Sequence, residues 1–250
     1  MLLARRDPDK ARFALTLLTS AVAPTNFWLG NPAAIKRTVE TGGLNLTRGI
    51  RNWAGDLRHN GGMPSMVDPQ ALQVGRDLAL TPGAVVERDE VAELIQYTPA
   101  TGSVRERPVL VVPPPIGRFY FLDLRPGRSF IEYSLARGLQ TFVLSWRNPG
   151  KEQRDWDLDT YAARVLRAID ASRDITGSGD VNYTGQQPRH DADQWLATAT
   201  KHTGSWWEAW ADWIIPHSGA ERPAPQSLGS PAFEPMTEAP GDYIRRAPRL

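Results

Sequence analysis

Residues Val109 to Asn148 leave this chain few architectures to fold into. The run opens with four apolar residues, Val109-Leu110-Val111-Val112, and passes through a loop at Pro113-Pro114-Pro115. It then reaches a segment that Ser129 can cap and Gly138 can end, the residue types that start and stop helices. Thr141 to Ser145 reads as a second buried strand. Thr160 to Ala171 reads as a helix with Tyr161, Val165 and Ile169 (or Ala168) turned inward. A strand without polar alternation expects cover on both faces. Strand, loop, helix, strand and helix in that order predict an α/β fold with a parallel sheet and crossover helices.

Upstream, the period is helical. Phe13 to Ala23, FALTLLTSAVA, follows basic residues as a signal peptide would, but Asp7 and Asp9 interrupt the charge and threonines and a serine dilute the run. It is also shorter than the roughly 20 apolar residues that span a bilayer. A packed helix ending at Pro24 is the expectation, with no transmembrane segment. Asn31-Pro32 supplies an N-cap and a first-turn proline for a helix that stops at Gly42-Gly43. Leu46, Ile50, Trp53 and Leu57 then fall on one face of a second helix, which Asn60-Gly61-Gly62 breaks. After Thr81-Pro82-Gly83 the period shortens. Val85-Val86 and Leu94-Ile95 read as short strands whose polar neighbours predict a sheet partly open to solvent.

Downstream, a further strand is expected near Val181, yet Gly177 to Pro188 holds turn-formers and amides instead. A helix resumes from Asp191, and Ser205-Trp206-Trp207-Glu208 has the spacing of a capping box. Trp206, Trp210 and Trp213 lie four and three apart, on one face with Trp207 and Ile214 beside it. That stripe reads first as the core contact of a C-terminal helix, and second as a surface for a partner. Beyond Pro216 the tail, rich in Pro, Gly and Ser, should pack as an extended segment or fray.

Composition narrows the chemistry. A net charge of +1 gives no electrostatic reason to expect nucleic acid. The absence of cysteine excludes disulfides, thiolate metal sites and a cysteine nucleophile, and fits a cytoplasmic setting. No serine has glycine both two before and two after it, as a nucleophile elbow requires. Ser178, between Gly177 and Gly179, reads as a turn. The histidines His59, His190, His202 and His217 read as surface or capping residues. Asp155, Asp157 and Asp159 alternate before a helix without the further ligands and loop glycine of a calcium site. They read as helix-start charges. No metal and no cofactor is expected.

Set in order, several short motifs resemble the polyhydroxyalkanoate synthases. The first block, from about Phe13 to Asn182, carries Pro24-Thr25-Asn26-Phe27, Asn31-Pro32, Thr41-Gly42-Gly43, Thr81-Pro82-Gly83-Ala84-Val85-Val86, the Val111 to Pro115 loop, Leu122-Asp123-Leu124 and Ser145-Trp146-Arg147-Asn148-Pro149. The second, from about Tyr183, carries Trp195-Leu196, Gly204-Ser205-Trp206-Trp207, Trp210 and Ala239-Pro240-Gly241-Asp242-Tyr243. The resemblance implies an α/β-hydrolase-type enzyme that polymerises hydroxyacyl-CoA thioesters through a catalytic cysteine.

In that family a sequence like Asp180-Val181-Asn182 runs into a Gly-x-Cys-x-Gly elbow, and the catalytic aspartate and histidine follow. All three would fall in a gap at Asn182–Tyr183, so no catalytic residue is assigned. The resemblance also implies that the loop after the first buried strand supplies an oxyanion-hole amide. Ile116 or Gly117 is the candidate, since proline has no N–H. A rigid turn leaving a strand explains the loop equally well.

Three regions follow: residues 1–80, an N-terminal helical region; 81–182, the first part of a hydrolase core; and 183–250, a C-terminal helix and tail. Three functions remain open. The chain is an inactive synthase relative with hydroxyacyl-CoA as the family substrate, or a non-catalytic partner of an intact synthase or polyester granule, or a poorly folded deletion product.

Overall fold

The computed structural model describes residues 6–68, 71–178 and 204–245. It divides into two units, Met1–Pro69 and Gln70–Leu250.

The first unit is helical. α1 (Arg6–Ala21) contains the apolar run as far as Ala21, and α2 (Pro32–Glu40) starts as expected, with the Asn31 side chain accepting from the Ala33 and Ala34 amides. Its stop is built by glycine, since the Gly43 amide donates to Thr38 O and both Gly42 and Gly43 have positive φ. α3 (Leu44–His59) then places Leu46, Ile50, Trp53 and Leu57 on one stripe. Among the described residues none of these helices buries a side chain. Phe13, Leu18, Ile50 and Trp53 are each more than 60 % exposed, so α1 is a helix but not the packed one expected.

The second unit is built on a five-stranded sheet. Its strands are β1 (Gly83–Arg88), β2 (Ala92–Tyr97), β4 (Val109–Val111), β7 (Thr141–Trp146) and β9 (Thr237–Glu238), in the order β4-β7-β2-β1-β9. Two short antiparallel pairs are separate from it: the long-range pair of β3 (Ser103–Arg105) with β8 (Glu221–Pro223), and the hairpin of β5 (Asp123–Arg125) with β6 (Arg128–Ser129). Alternation along the strands sends Val85, Ile95 and Val143 to one face, against α4 (Phe130–Leu135). Val86, Leu94, Phe142 and Leu144 go to the other face, against α5 (Leu158–Thr176).

Four expectations need correction. The sheet is mixed, not parallel: among the described residues only β4 and β7 pair in parallel within it, and the β1–β2, β2–β7 and β1–β9 pairs are antiparallel. The cause is local, because the turn at Asp89 joins β1 to β2 as a hairpin, with the Asp89 carboxylate accepting from the Val91 and Ala92 amides. β1 and β2 are not partly open to solvent: every residue of β2 is buried, and Glu87, Glu93 and Gln96 are buried polar residues. β4 is not covered on both faces. It is only half-buried, because among the described residues it stands at the sheet edge.

The fourth correction concerns α6 (Trp206–His217). Ser205 caps it by accepting from the Trp207 amide. The side turned inward carries Trp207, Trp210 and Ala211, while Trp206 and Trp213 are 60 % and 53 % exposed. Phe130 fixes this phase: its ring lies 4.7 Å from Trp210 and 5.6 Å from Trp207, with Trp206 stacked at 5.4 Å.

The tail packs as an extended segment, and β9 extends the sheet. The strand expected near Val181, the helix from Asp191 and the Asn182–Tyr183 junction lie outside the described residues.

Candidate functional site

Where the parallel strands β4 and β7 end, the loop 112–117 is held from two sides. The buried Trp146 indole donates to Pro113 O at 2.7 Å, tying the loop to the end of β7. Within the loop, the Gly117 amide donates to Pro114 O at 2.9 Å and closes a four-residue turn. Ile116 sits at the tip, fully exposed. Phe119 follows as a buried anchor, and the Arg118 guanidinium reaches Tyr243 O at 3.4 Å. Arg147 leaves β7 with its guanidinium 5.8 Å from the Tyr243 ring. The carboxyl ends of parallel strands are the usual place for a ligand in α/β sheets.

The two candidate amides are therefore not equivalent. That of Gly117 is engaged by the turn. Among the described residues no backbone carbonyl accepts from Ile116. Trp146, Arg118 and Tyr243 support this corner, yet no spacing in the sequence joins them.

The other candidate residues are spent elsewhere. His59 Nδ1 lies 3.1 Å from Gly55 O in α3, and His217 Nδ1 lies 2.6 Å from Trp213 O in α6, so both bond back to their own helices. His190 and His202 lie outside the described residues. Ser178 is buried beyond the C-terminus of α5, where its hydroxyl accepts from Thr176 Oγ1 at 3.0 Å. Asp157 caps α5 by accepting from the Thr160 amide and hydroxyl, and that amide bond, with the hydroxyl second, lowers its carboxyl from the usual value. Asp155 lies 3.7 Å from Arg154, and Asp159 sits in the first turn of α5. Among the described residues no group of three or more His, Asp or Glu side chains is placed to hold a metal.

Three buried polar clusters had no local sequence signal. Glu93, fully buried on β2, accepts from the Asp242 and Tyr243 amides at 3.0–3.1 Å and pairs with Arg88 at 2.8 Å. It thereby fixes the Gly241-Asp242-Tyr243 segment. Gly241 is required there, since its φ is +79° and a Cβ would sit 2.4 Å from Glu93 Oε2. On the α5 side, the Arg164 side chain is 1 % exposed, with Nη1 3.0 Å from Glu87 and Nε 3.1 Å from Asp89. These contacts are close but not aligned as hydrogen bonds, whereas Arg167 makes aligned bonds to both acids at 2.9 Å. A third buried carboxylate, Asp123, accepts from the Thr81 hydroxyl at 2.6 Å. Burial first, and the Asp123 charge second, push the Tyr97 phenol up, so it stays neutral. All three clusters join strands to loops or helices.

Comparison with known sequences decides the ancestry. Residues 2–134 match the family described as "Poly-beta-hydroxybutyrate polymerase (PhaC) N-terminus". The chain belongs to the polyhydroxyalkanoate synthase family. Poly(3-hydroxyalkanoate) polymerase 1 of Ectopseudomonas oleovorans is 51% identical over 183 residues, 73% of this chain and 33% of that protein. The Poly(3-hydroxyalkanoate) polymerase of Methylorubrum extorquens is 42% identical over 179 residues, 70% of this chain and 30% of its own length. The polymerase subunit PhaC of Cupriavidus necator is 40% identical over 178 residues, 71% and 30%. This synthase-family chain thus spans about a third of the curated relatives it matches. Among the described residues no helix is long and apolar enough to cross a membrane.

Proposed function

We propose that this polypeptide carries the scaffold of a polyhydroxyalkanoate synthase without its acyl-transfer step. The observation that carries the reading is the absence of any thiol. Transfer of a hydroxyacyl group from CoA to a growing polyester needs a nucleophile to accept the acyl carbon and release the CoA thiolate. No serine stands in the Gly-x-Ser-x-Gly spacing of an elbow, and Ser178, set between two glycines, is buried and bonded to Thr176. In this reading the elbow and its partners are excised at Asn182–Tyr183. The Ile116 amide, at the tip of the turn that engages Gly117, is then an oxyanion donor with nothing to stabilise.

The fold proposed for the whole is of α/β-hydrolase type. The parallel β4–β7 pair, joined across the loop and α4, supports it. Residues 1–80, 81–182 and 183–250 correspond to the family's helical region, the first part of its core and its C-terminal segment. The setting is the cytoplasm, with hydroxyacyl-CoA as the family's substrate.

Incubating the chain with 3-hydroxybutyryl-CoA and assaying free CoA tests the reading. Release indistinguishable from a no-protein control is expected, and release well above it overturns the proposal.

A second reading has its own observation. Trp206 and Trp213 are exposed on α6, so the chain can present aromatic surface to an intact synthase or a polymer granule. Co-sedimentation with polymer granules that is lost in the Trp206→Ala, Trp213→Ala double variant supports it. A chain that stays soluble and alone contradicts it.

A further inference from the structure

α3 stops at Asn60–Gly61, the only Asn-Gly pair in the chain, and the geometry there differs from that of the other described asparagines. Asn31 and Asn148 precede proline, whose nitrogen carries no hydrogen. After Asn26 and Asn45 the next amide is engaged, Phe27 donating to Pro24 O and Leu46 to Gly43 O. Asn52 is followed by Trp53 inside α3. The Gly61 amide, by contrast, donates to no backbone carbonyl among the described residues. Open space surrounds Gly61 where a Cβ would stand, and Asn60 is only half-buried.

Gly61 N is one ring closure away from the Asn60 side-chain carbonyl, an attack that needs no second molecule. With ψ at 24°, however, Gly61 N nearly eclipses the Asn60 main-chain nitrogen. It reaches the side chain only when the peptide turns, and Gly61, at a φ of +59°, has no Cβ to obstruct that turn. Asp56 holds the loop shut from two sides. Its carbonyl accepts from the Asn60 and Gly62 amides at 2.9 and 3.0 Å. Its carboxylate accepts from the Ser65 amide at 3.1 Å and the Ser65 hydroxyl at 2.7 Å. Within the closed loop, Asn60 Nδ2 donates to Met63 O at 2.7 Å.

We propose that Asn60–Gly61 is a self-modification site, converting to isoaspartate at a rate held down by the Asp56–Ser65 bonds. Base removes the Gly61 N–H proton, Gly61 N bonds to Asn60 Cγ, and the side-chain nitrogen takes up a proton and leaves as ammonia. Water then opens the succinimide at either carbonyl, giving aspartate or isoaspartate, so the net change consumes water and releases ammonia. The step is independent of any acyl transfer. The product carboxylate no longer donates to Met63 O, and it puts negative charge at the C-terminus of α3, where the helix dipole disfavours it. Isoaspartate also inserts a methylene into the main chain at that stop, so conversion loosens the last turn of α3 and does not reverse.

Ageing the full chain in warm buffer above neutral pH, followed by peptide mass spectrometry that separates isoaspartate from aspartate, tests this. Exchange of NH for O at Asn60 is expected at least about tenfold faster than at Asn26, Asn45 or Asn52. Isoaspartate should appear beside aspartate, and the rate should climb with pH. Asn60→Gln should abolish the conversion. Asp56→Ala should speed it about tenfold, and Ser65→Ala, which removes only the hydroxyl bond, about threefold. Hydrogen exchange across the last turn of α3 should be faster in the converted chain than in the fresh one. Conversion of Asn60 no faster than that of the other asparagines overturns the proposal, as does aspartate without isoaspartate, the product of direct hydrolysis. So does a rate unchanged in both Asp56→Ala and Ser65→Ala. Should Asp56→Ala lose helicity by circular dichroism, the Ser65→Ala comparison decides alone.

Discussion

The helices of residues 6–59 and the sheet of residues 83–146 are both patterned with apolar side chains, but only the sheet buries them. Among the described residues α1 to α3 contain no buried side chain, although Leu46, Ile50, Trp53 and Leu57 keep a strict helical stripe. In the sheet, Val85, Ile95, Val143 and Leu144 are wholly inaccessible. Period alone makes a helix amphipathic, whereas removal from water requires a second surface at the right distance. Within the first unit helix ends are therefore set by local hydrogen bonds, and within the second by interlocking strands and buried charges.

The largest expected effect falls on the buried charge that joins the C-terminal segment to the sheet. Glu93→Ala strips two backbone amides and Arg88 of their acceptor, and removing one partner of a buried pair costs about 3–5 kcal/mol. Urea unfolding followed by near-ultraviolet dichroism should show that loss. A variant as stable as the parent would mean that the tail is not held by this carboxylate.

Next comes the contrast itself. Ile95→Ala, at a residue with no exposed surface, should cost about 2–5 kcal/mol, while Ile50→Ala in α3 should cost no more than about 0.5 kcal/mol. Equal losses in the two variants, measured by the same denaturant titration, would break the comparison between the units.

A smaller effect is expected at the start of α2. Asn31→Ala removes the acceptor for the Ala33 and Ala34 amides and should cost about 1 kcal/mol of local helix stability, read as faster hydrogen exchange across residues 33–40. Unchanged exchange there would show that the helix does not depend on its cap.

The smallest is a pH dependence at α5. The Asp157 carboxyl is lowered when folded, so its contribution is complete above the unfolded value of about 3.9 and is lost as pH falls through the folded one. Asp157→Asn keeps the capping geometry without the charge. Its acid melting curve should be flatter than the parent's in that window, and superimposable curves would remove the carboxylate from the account.

What could be read in the sequence is what short-range rules decide. Asn31-Pro32, Gly42-Gly43, Ser129 and Ser205 each mark a helix end through bonds made within a few residues. The unbroken apolar runs at β4 and β7 announced strands for the same reason. Long-range facts were hidden. An apolar run says that a strand wants partners, but not that β4 stands at an edge. The spacing of the four tryptophans and two isoleucines in α6 puts Trp206, Trp210 and Trp213 on one face, and only Phe130 turns Trp207 and Trp210 inward instead. Polar neighbours in β1 and β2 looked like a wet face. They are buried because Glu93 meets amides 149 and 150 residues away, and Glu87 meets Arg164 and Arg167 from α5. Of the candidate site, the loop and its two amides were legible. The engagement of Gly117 by Pro114 O was not, since it depends on the turn that three consecutive prolines adopt.

The central claim is that no residue of this polypeptide takes an acyl group from a thioester. Intact-mass spectrometry after incubation with 3-hydroxybutyryl-CoA tests it most directly. A single species at the mass of the unmodified chain is the predicted result, and a covalent hydroxybutyryl adduct would contradict it.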